Sequence, residues 1–335
     1  MQNHNNWPLE HWHIEISGKC TLKCPRCTRQ EVPGYVNKEL SLQWFKDNFV
    51  FLNKVKKITF CGDDGDPIYA KDLLDVIEWI KDQNNKIQIV LVTNGSYKTK
   101  VWWNRLNNLL DKNDNIHFSL DGWNQKSNEM YRVNCNWNSI LIGIQEIKNA
   151  YKTWAAIAFK FNEHKIEDMK QMAKQLGFDN FTLTLSTKFG KNYKAYLPHD
   201  PLQPSDQYVA SGRFVRQSTK LTSRDWKDST LDLYTTRFHN TEIGKNPVIP
   251  LCMIGNKGLY LNAEGRFFPC CWTALRYPHN EGLFKQINFN RKLVDVLEDK
   301  MWKKIQQDFL TNKGPKECIK KCSAAKWNMS HATEW

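Results

Sequence analysis

The hydrophobic pattern changes period repeatedly over the first half of the chain. Short runs of strand-like composition fall at residues 13–17, 57–61, 87–93, 116–120, 155–161 and 181–185. Longer stretches of helical spacing lie between them. Residues 70–82 gather Leu73, Leu74, Val76, Ile77 and Ile80 on one face, and residues 41–49 open on a serine suited to cap a helix. Residues 137–151 align Ile140, Ile144 and Ile147, and residues 166–176 follow the fifth strand-like run. This alternation predicts an α/β fold of parallel strands with right-handed crossovers, either a barrel or an open sheet. In both architectures chemistry collects at the carboxyl ends of the strands.

Beyond residue 186 the pattern breaks. Pro198, Pro201, Pro204, Pro247 and Pro250 interrupt residues 187–250, which are mostly polar, so a linker or substrate-facing insertion is expected there. Residues 251–270 read as a β-hairpin: Leu259-Tyr260-Leu261, a turn from Asn262 to Gly265, then Arg266-Phe267-Phe268. A helical stretch at 293–309 leads to Cys318 and Cys322. The chain therefore divides into 1–186, 187–250 and 251–335.

Composition narrows the class. A chain of 335 residues can bury one large core, with or without an appendage. At 41% hydrophobic and 25% charged it is an ordinary globular chain, and no run reaches the roughly 18 apolar residues of a membrane span. The first residues lack the basic and apolar regions of a signal peptide, so a cytoplasmic address without a membrane partner is expected. In that compartment clustered cysteines bind metal more often than they pair as disulfides. The net charge of +13 admits a nucleic-acid or acidic partner, yet the lysines are scattered and form no basic arm. A solvated lysine surface is the plainer account of the charge. No RNA-binding module is recognisable, and a nucleic-acid substrate stays open.

The distinctive residues sit at predicted strand ends. Cys20, Cys24 and Cys27 follow the first strand with the spacing C-x3-C-x2-C. Three thiolates on a [4Fe–4S] cluster leave one iron open to a small molecule. After the second strand comes Cys61-Gly62-Asp63-Asp64-Gly65-Asp66-Pro67, whose glycines allow close backbone approach and whose carboxylates suit a cationic amine. Thr93-Asn94-Gly95 and Ser119-Leu120-Asp121-Gly122 follow the third and fourth strands and suit ribose hydroxyls, although such dipeptides are also ordinary turns. A second set, Cys252, Cys270, Cys318 and Cys322, could close a tetrahedral zinc site or hold a fully ligated cluster, with Cys271 an alternative to Cys270. Cys61 and Cys135 are left over, and burial as small apolar residues is the common fate of such cysteines.

On these residues the chain resembles the radical SAM superfamily, over about residues 11–186 and 251–322. The resemblance implies a partial (β/α)6 TIM-like barrel in which Cys20, Cys24 and Cys27 hold the cluster that binds S-adenosylmethionine. Gly65-Asp66-Pro67, preceded by Asp64, is similar to the family's Gly-Gly-Glu-Pro motif for the methionine amine, with a shorter acid. Ser119 and Asp121 resemble ribose-contacting positions, with Thr93 and Asn94 beside them. Arg132 stands where relatives carry a carboxylate-binding arginine, the alternative being a surface helix charge. Arg26 departs from the aromatic residue many relatives place before the last cysteine. The pattern C-x12-G-x4-C through Cys252, Gly265 and Cys270, followed by Cys318 and Cys322, resembles the twitch extension, a shortened SPASM domain with one auxiliary [4Fe–4S] cluster.

The resemblance implies two clusters, S-adenosylmethionine, and a one-electron donor such as flavodoxin or ferredoxin. The implied activity is a 5′-deoxyadenosyl radical that abstracts hydrogen from a peptide or peptidyl residue, with oxidation, cross-linking or epimerisation as the outcome. Cys61, beside the cofactor loop, is then a candidate hydrogen donor to a product radical. One alternative is a dehydrogenase of a small sugar or alcohol. Another, of a different class, is a zinc-stabilised, non-catalytic binding protein, which would be colourless where the enzymes would be brown and oxygen-sensitive.

Overall fold

A computed structural model describes residues 9–31, 37–49, 52–62, 65–185, 200–206, 208, 216–229, 259–271, 274 and 291–310. Six strands run parallel: β1 (His11–Ile14), β2 (Lys57–Phe60), β3 (Gln88–Thr93), β4 (Asn115–Ser119), β5 (Tyr151–Ala158) and β6 (Asn180–Leu185). Helices α1 (Thr28–Glu31), α2 (Leu42–Asn48), α3 (Leu73–Gln83), α4 (Lys100–Leu109), α5 (Gln125–Glu129), α6 (Trp137–Glu146) and α7 (Ile166–Gln175) fill the connections. Together they form a partial (β/α)6 barrel. Ser41 caps α2 by accepting from the Trp44 amide, as its position in the sequence predicts.

Two differences from the sequence pattern have local causes. Helix α6 ends at Glu146 and β5 begins at Tyr151, earlier than the run starting at residue 155. The amide of Tyr151 donates to the Asp114 carbonyl and that of Lys152 to the Asp179 carboxylate, so residues 151 and 152 join the ladder. Helix α4 carries little apolar signal in the sequence, because Asn104, Arg105, Asn107 and Asn108 leave Trp103 and Leu106 as its buried side chains. Thr99 caps it, accepting from the Trp102 amide.

Strand alternation gives the sheet two unlike faces. Trp12, Ile14, Ile58, Phe60, Ile116, Phe118, Trp154 and Phe181 are buried on the helix-covered side, where the Trp103 ring lies 5.6 Å from that of Phe118. Each such side chain contributes about 1.5–3 kcal/mol by leaving water. The intervening residues His11, His13, Lys57, Thr59, Asn115, His117, Thr153 and Thr182 give the inner face a polar lining.

The sheet extends at both edges, in the order β7-β6-β5-β4-β3-β2-β1-β8-β9. Strand β7 (Arg216–Lys220) runs antiparallel to β6. It belongs to the 187–250 segment, whose residues 187–199 and 230–250 lie outside the described ones. Residues 222–229 pass beneath the amino ends of the strands, opposite the expected site. Gln88 donates to the Lys227 carbonyl at 2.6 Å, and Lys57, only 2% exposed, pairs with Asp228 at 2.6 Å. Burial pushes the Lys57 amine down, against the pull of Asp228. Loss of Asp228 strands that ammonium, so Asp228→Ala is expected to lower stability by about 3 kcal/mol, with most of it regained in Lys57→Met/Asp228→Ala. Chemical denaturation checks this; a single variant as stable as the parent would contradict the seal.

On the other edge the predicted hairpin is present. Strand β8 (Leu259–Leu261) pairs parallel with β1, and β9 (Phe267–Phe268) returns antiparallel. Gly265 takes φ 80° in its turn, a conformation that favours glycine, and the turn rests on Trp44 of α2. Phe267 packs against Trp12 and Trp44. Two further helices, α8 (Leu293–Leu297) and α9 (Lys300–Leu310), follow, with Trp302 fully buried. No helix among the described residues is long and apolar enough to cross a membrane.

Candidate active site

The carboxyl end of β1 runs into the cysteine loop. Cys24 is buried, while Cys20 and Cys27 are partly exposed. The Cys27 amide donates to the Cys24 carbonyl at 3.1 Å, turning the chain between the last two thiols. Burial pushes the Cys20 thiol up to about 12, with the Asp66 charge adding to it. Burial likewise pushes Cys24 up to about 11, while the Arg132 guanidinium pulls the other way. Thiols that resist ionisation on their own become thiolates when a metal centre supplies positive charge. No group of three metal-binding side chains among the described residues is gathered tightly enough for a single ion. A cluster takes its three thiolates on three different irons, so its ligands need not converge on one point. A cavity of 330 Å³ opens beside Cys20, lined by Lys19, Thr21, Arg29, Asn37 and Tyr69.

The loop after β2 is locked to the cysteine loop. The Asp66 amide donates to the Lys19 carbonyl at 2.8 Å, and the Gly65 amide donates to Glu15 at 3.1 Å. A side chain at Gly65 would meet the Ser17 carbonyl oxygen at 1.9 Å, so only glycine permits this approach. The Asp66 carboxylate is fully engaged. One oxygen accepts from the Thr93 hydroxyl at 2.8 Å and the Ile68 amide at 3.2 Å; the other accepts from the Asn94 backbone at 2.7 Å and side chain at 2.6 Å. Burial pushes Asp66 up to about 6, against those donors. Asp66 thus fastens the end of β2 to the end of β3, and Asn94 in turn reaches towards the Cys20 sulfur at 3.7 Å. Asp64 lies outside the described residues.

Asp121, after β4, plays a similar part. It is fully buried; one oxygen accepts from the Ile157 amide at 2.7 Å and the other from Arg132 Nε at 2.6 Å. Burial raises the Asp121 carboxyl, and Arg132 opposes that rise. The Arg132 cation lies near enough to Cys24 to favour its thiolate. Burial would lower its guanidinium, but Asp121 and Cys24 hold it above its usual range. Arg132 is therefore an interior cation linking the cysteine loop to β4, not a surface helix charge. Ser119, partly exposed, ends β4 on the inner face. Arg26 pairs with Asp200.

Three residues of the site, Glu15, His13 and Tyr69, belong to no sequence motif. Glu15, wholly buried, accepts from Tyr260 of the hairpin at 2.6 Å as well as from Gly65, joining the C-terminal extension to the cofactor loop. His13 lies against the Cys61 sulfur, with the Tyr260 ring 5.0 Å from its own. Tyr69 bonds Thr21 in the cysteine loop at 2.7 Å. The signal was present in β1: His11, His13, Glu15 and Ser17 alternate with Trp12, Ile14 and Ile16. Of the second cysteine set, Cys270 and neighbouring Cys271 stand just past β9, at the open end of the hairpin, while Cys252, Cys318 and Cys322 lie outside the described residues. Cys135 is buried.

Residues 14–176 match the family described as the Radical SAM superfamily. This part of the chain is a Radical SAM superfamily domain. Among solved structures, SuiB of Streptococcus suis bound to its precursor peptide SuiA is 17% identical with TM-score 0.52, covering 89% of this chain and 66% of SuiB. SuiB bound to S-adenosylmethionine is 14% identical with TM-score 0.55, covering 87% and 66%. Native anSMEcpe with bound AdoMet and Cp18Cys peptide is 14% identical with TM-score 0.53, covering 93% of this chain and 85% of that one. At such identities the likeness is one of fold. The chain spans slightly less than two thirds of SuiB. No curated protein matches the chain.

Proposed function

We propose that the protein is a radical SAM enzyme of the twitch type that acts on a peptide or a peptidyl residue. The observation that carries this reading is the coupling of the cysteine loop to the ends of β2, β3 and β4, through Asp66–Lys19, Asn94–Cys20 and the Asp121–Arg132 pair near Cys24. Cys20, Cys24 and Cys27 would hold the cluster that binds S-adenosylmethionine. With that cluster and the cofactor bound, the site would supply one-electron radical chemistry for hydrogen abstraction.

The chain's own groups would orient and enclose. Asp64, Gly65, Asp66, Thr93, Asn94, Ser119, Asp121 and Arg132 form the proposed cofactor ring. Asp66 and Asp121 would act chiefly by fixing Asn94 and Arg132, since their oxygens are engaged. Gly65 would bring backbone against the cofactor, and Arg132 would present its cation to a carboxylate. Cys61, held by His13 on the inner face, is the proposed hydrogen donor. Cys252, Cys270, Cys318 and Cys322 would hold an auxiliary [4Fe–4S] cluster suited to electron transfer. Its Cys270 lies towards the amino end of β1 while Cys20 lies beyond the carboxyl end, which supports two separate centres. We further propose a cytoplasmic enzyme.

The peptide reading draws on the likeness to peptide-bound SuiB and anSMEcpe, and on a polar inner wall able to bond a backbone. Its test is anaerobic incubation of the iron-loaded protein with S-adenosylmethionine, a reductant and deuterated peptides encoded by neighbouring genes. Deuterium in 5′-deoxyadenosine together with a mass change in a peptide is the expected result. Transfer only from a sugar or alcohol would instead favour the small-molecule dehydrogenase.

A further inference from the structure

Strand β8 brings one tyrosine to the polar inner face of the barrel. Its register with β1 sets Tyr260 opposite His13, and strand alternation puts Glu15 on that same face two residues on. The Tyr260 hydroxyl donates to one Glu15 oxygen at 2.6 Å, while the Gly65 amide donates to the other at 3.1 Å. The Glu15 amide donates to the Leu261 carbonyl at 2.8 Å, so main chain and side chain both tie Glu15 to the hairpin. Tyr260 and Glu15 are both buried.

Packing alone does not ask for a tyrosine here. Leu259, Leu261, Phe267 and Phe268 already bury the hairpin, and a phenylalanine at position 260 could fill the same space against the His13 ring, 5.0 Å away. What the tyrosine adds is the hydroxyl, and a buried tyrosine hydroxyl has to find a partner. A carboxylate taken out of water is costly unless it is hydrogen-bonded, so Glu15 needs donors as much as Tyr260 needs an acceptor. The pair is therefore a built link between the C-terminal extension and the loop after β2.

The far end of the link has little room to move. A side chain at Gly62 would meet the Gly65 carbonyl oxygen at 1.8 Å, and one at Gly65 would meet the Ser17 carbonyl oxygen at 1.9 Å, so this loop packs backbone against backbone. The next residue, Asp66, donates its amide to the Lys19 carbonyl and holds Asn94 through its carboxylate. Asn94 lies 3.7 Å from the Cys20 sulfur. A shift of Gly65 is thus passed on to Asp66 and Asn94, two members of the proposed cofactor ring.

We propose that Tyr260 is a positioning residue for S-adenosylmethionine: acting through Glu15 it holds Gly65, and the C-terminal hairpin thereby sets the affinity of the cofactor site. The proposal rests on the radical SAM reading above. Coupling between two sites is reciprocal. Bound S-adenosylmethionine therefore steadies β8, and does so less once the hydroxyl is gone.

Two measurements on the full chain test this. In the cluster-free protein, Tyr260→Phe is expected to speed amide hydrogen exchange in the segment that carries Gly65 and Asp66. Phe267→Leu, which loosens the hairpin where it packs on Trp12 and Trp44, is expected to leave that segment at the parent rate. In the iron-loaded protein, Tyr260→Phe is expected to raise the Kd for S-adenosylmethionine about tenfold, the order of coupling between distinct sites. The rate of 5′-deoxyadenosine formation at saturating cofactor should stay near that of the parent. Glu15→Gln, which keeps an acceptor for the Gly65 amide, is expected to lose less affinity than Glu15→Leu. Parent-like exchange at Gly65 or a parent-like Kd in Tyr260→Phe would overturn the proposal, and an equal loss in Phe267→Leu would reduce Tyr260 to a structural role. A parent that binds no S-adenosylmethionine would sink the radical SAM reading and the cofactor part of this proposal with it, while the exchange result separately decides the Tyr260–Glu15–Gly65 link.

Discussion

Serine at Cys20, Cys24 and Cys27 together is expected to abolish reductive cleavage of S-adenosylmethionine and to remove about half of the bound iron, as one of two similar clusters is lost. The fold should survive. Cys20 and Cys27 are partly exposed, and the loop is held by backbone bonds from Asp66 and Val133 that do not involve sulfur. Stability of the cluster-free chain should therefore change by no more than about 1–2 kcal/mol. Iron analysis, 5′-deoxyadenosine formation and denaturation together check this. Cleavage at the parent rate would show that the triad holds no catalytic cluster. Full loss of iron would show instead that the C-terminal cysteines bind none.

Asp121→Ala is expected to be the most destabilising single change at the site. It leaves the interior Arg132 guanidinium without its carboxylate and the Ile157 amide without an acceptor. Removing one member of a buried pair costs about 3–5 kcal/mol, because the other charge stays desolvated. The Arg132 cation also lies near Cys24, so the cysteine loop should loosen, seen as faster iron loss to a chelator. Asp121→Asn keeps an acceptor oxygen for Ile157 and should lose less. Asp121→Leu/Arg132→Met removes both charges and should recover much of the stability without recovering iron retention. A loss below about 1 kcal/mol in Asp121→Ala would mean that the pair holds little.

The fold was legible where apolar spacing was strong. Leu73, Leu74, Val76, Ile77 and Ile80 announce α3, and Leu259-Tyr260-Leu261 with Gly265 announces the hairpin. It was illegible where tertiary partners decide. Tyr151 enters β5 because Asp114 and Asp179 receive the backbone there, a fact no local pattern carries. The 222–229 crossing is likewise held by Lys57 and Gln88, far away in sequence.

The candidate site was legible as strand-end motifs to this extent: Asp66 and Asn94 bond each other beside Cys20, and Asp121 bonds Arg132 in the neighbourhood of Cys24. Their individual roles were less so. Sequence shows that a carboxylate exists at Asp66, but not that four donors already fill it. Glu15 carries no motif of its own; its partners Tyr260 and Gly65, distant in sequence, are what make it part of the site.

The most direct measurement of the central reading is anaerobic reconstitution with iron and sulfide, followed by dithionite and S-adenosylmethionine. A brown protein that converts S-adenosylmethionine to 5′-deoxyadenosine is the expected result. A colourless protein that holds zinc and leaves S-adenosylmethionine intact would contradict it.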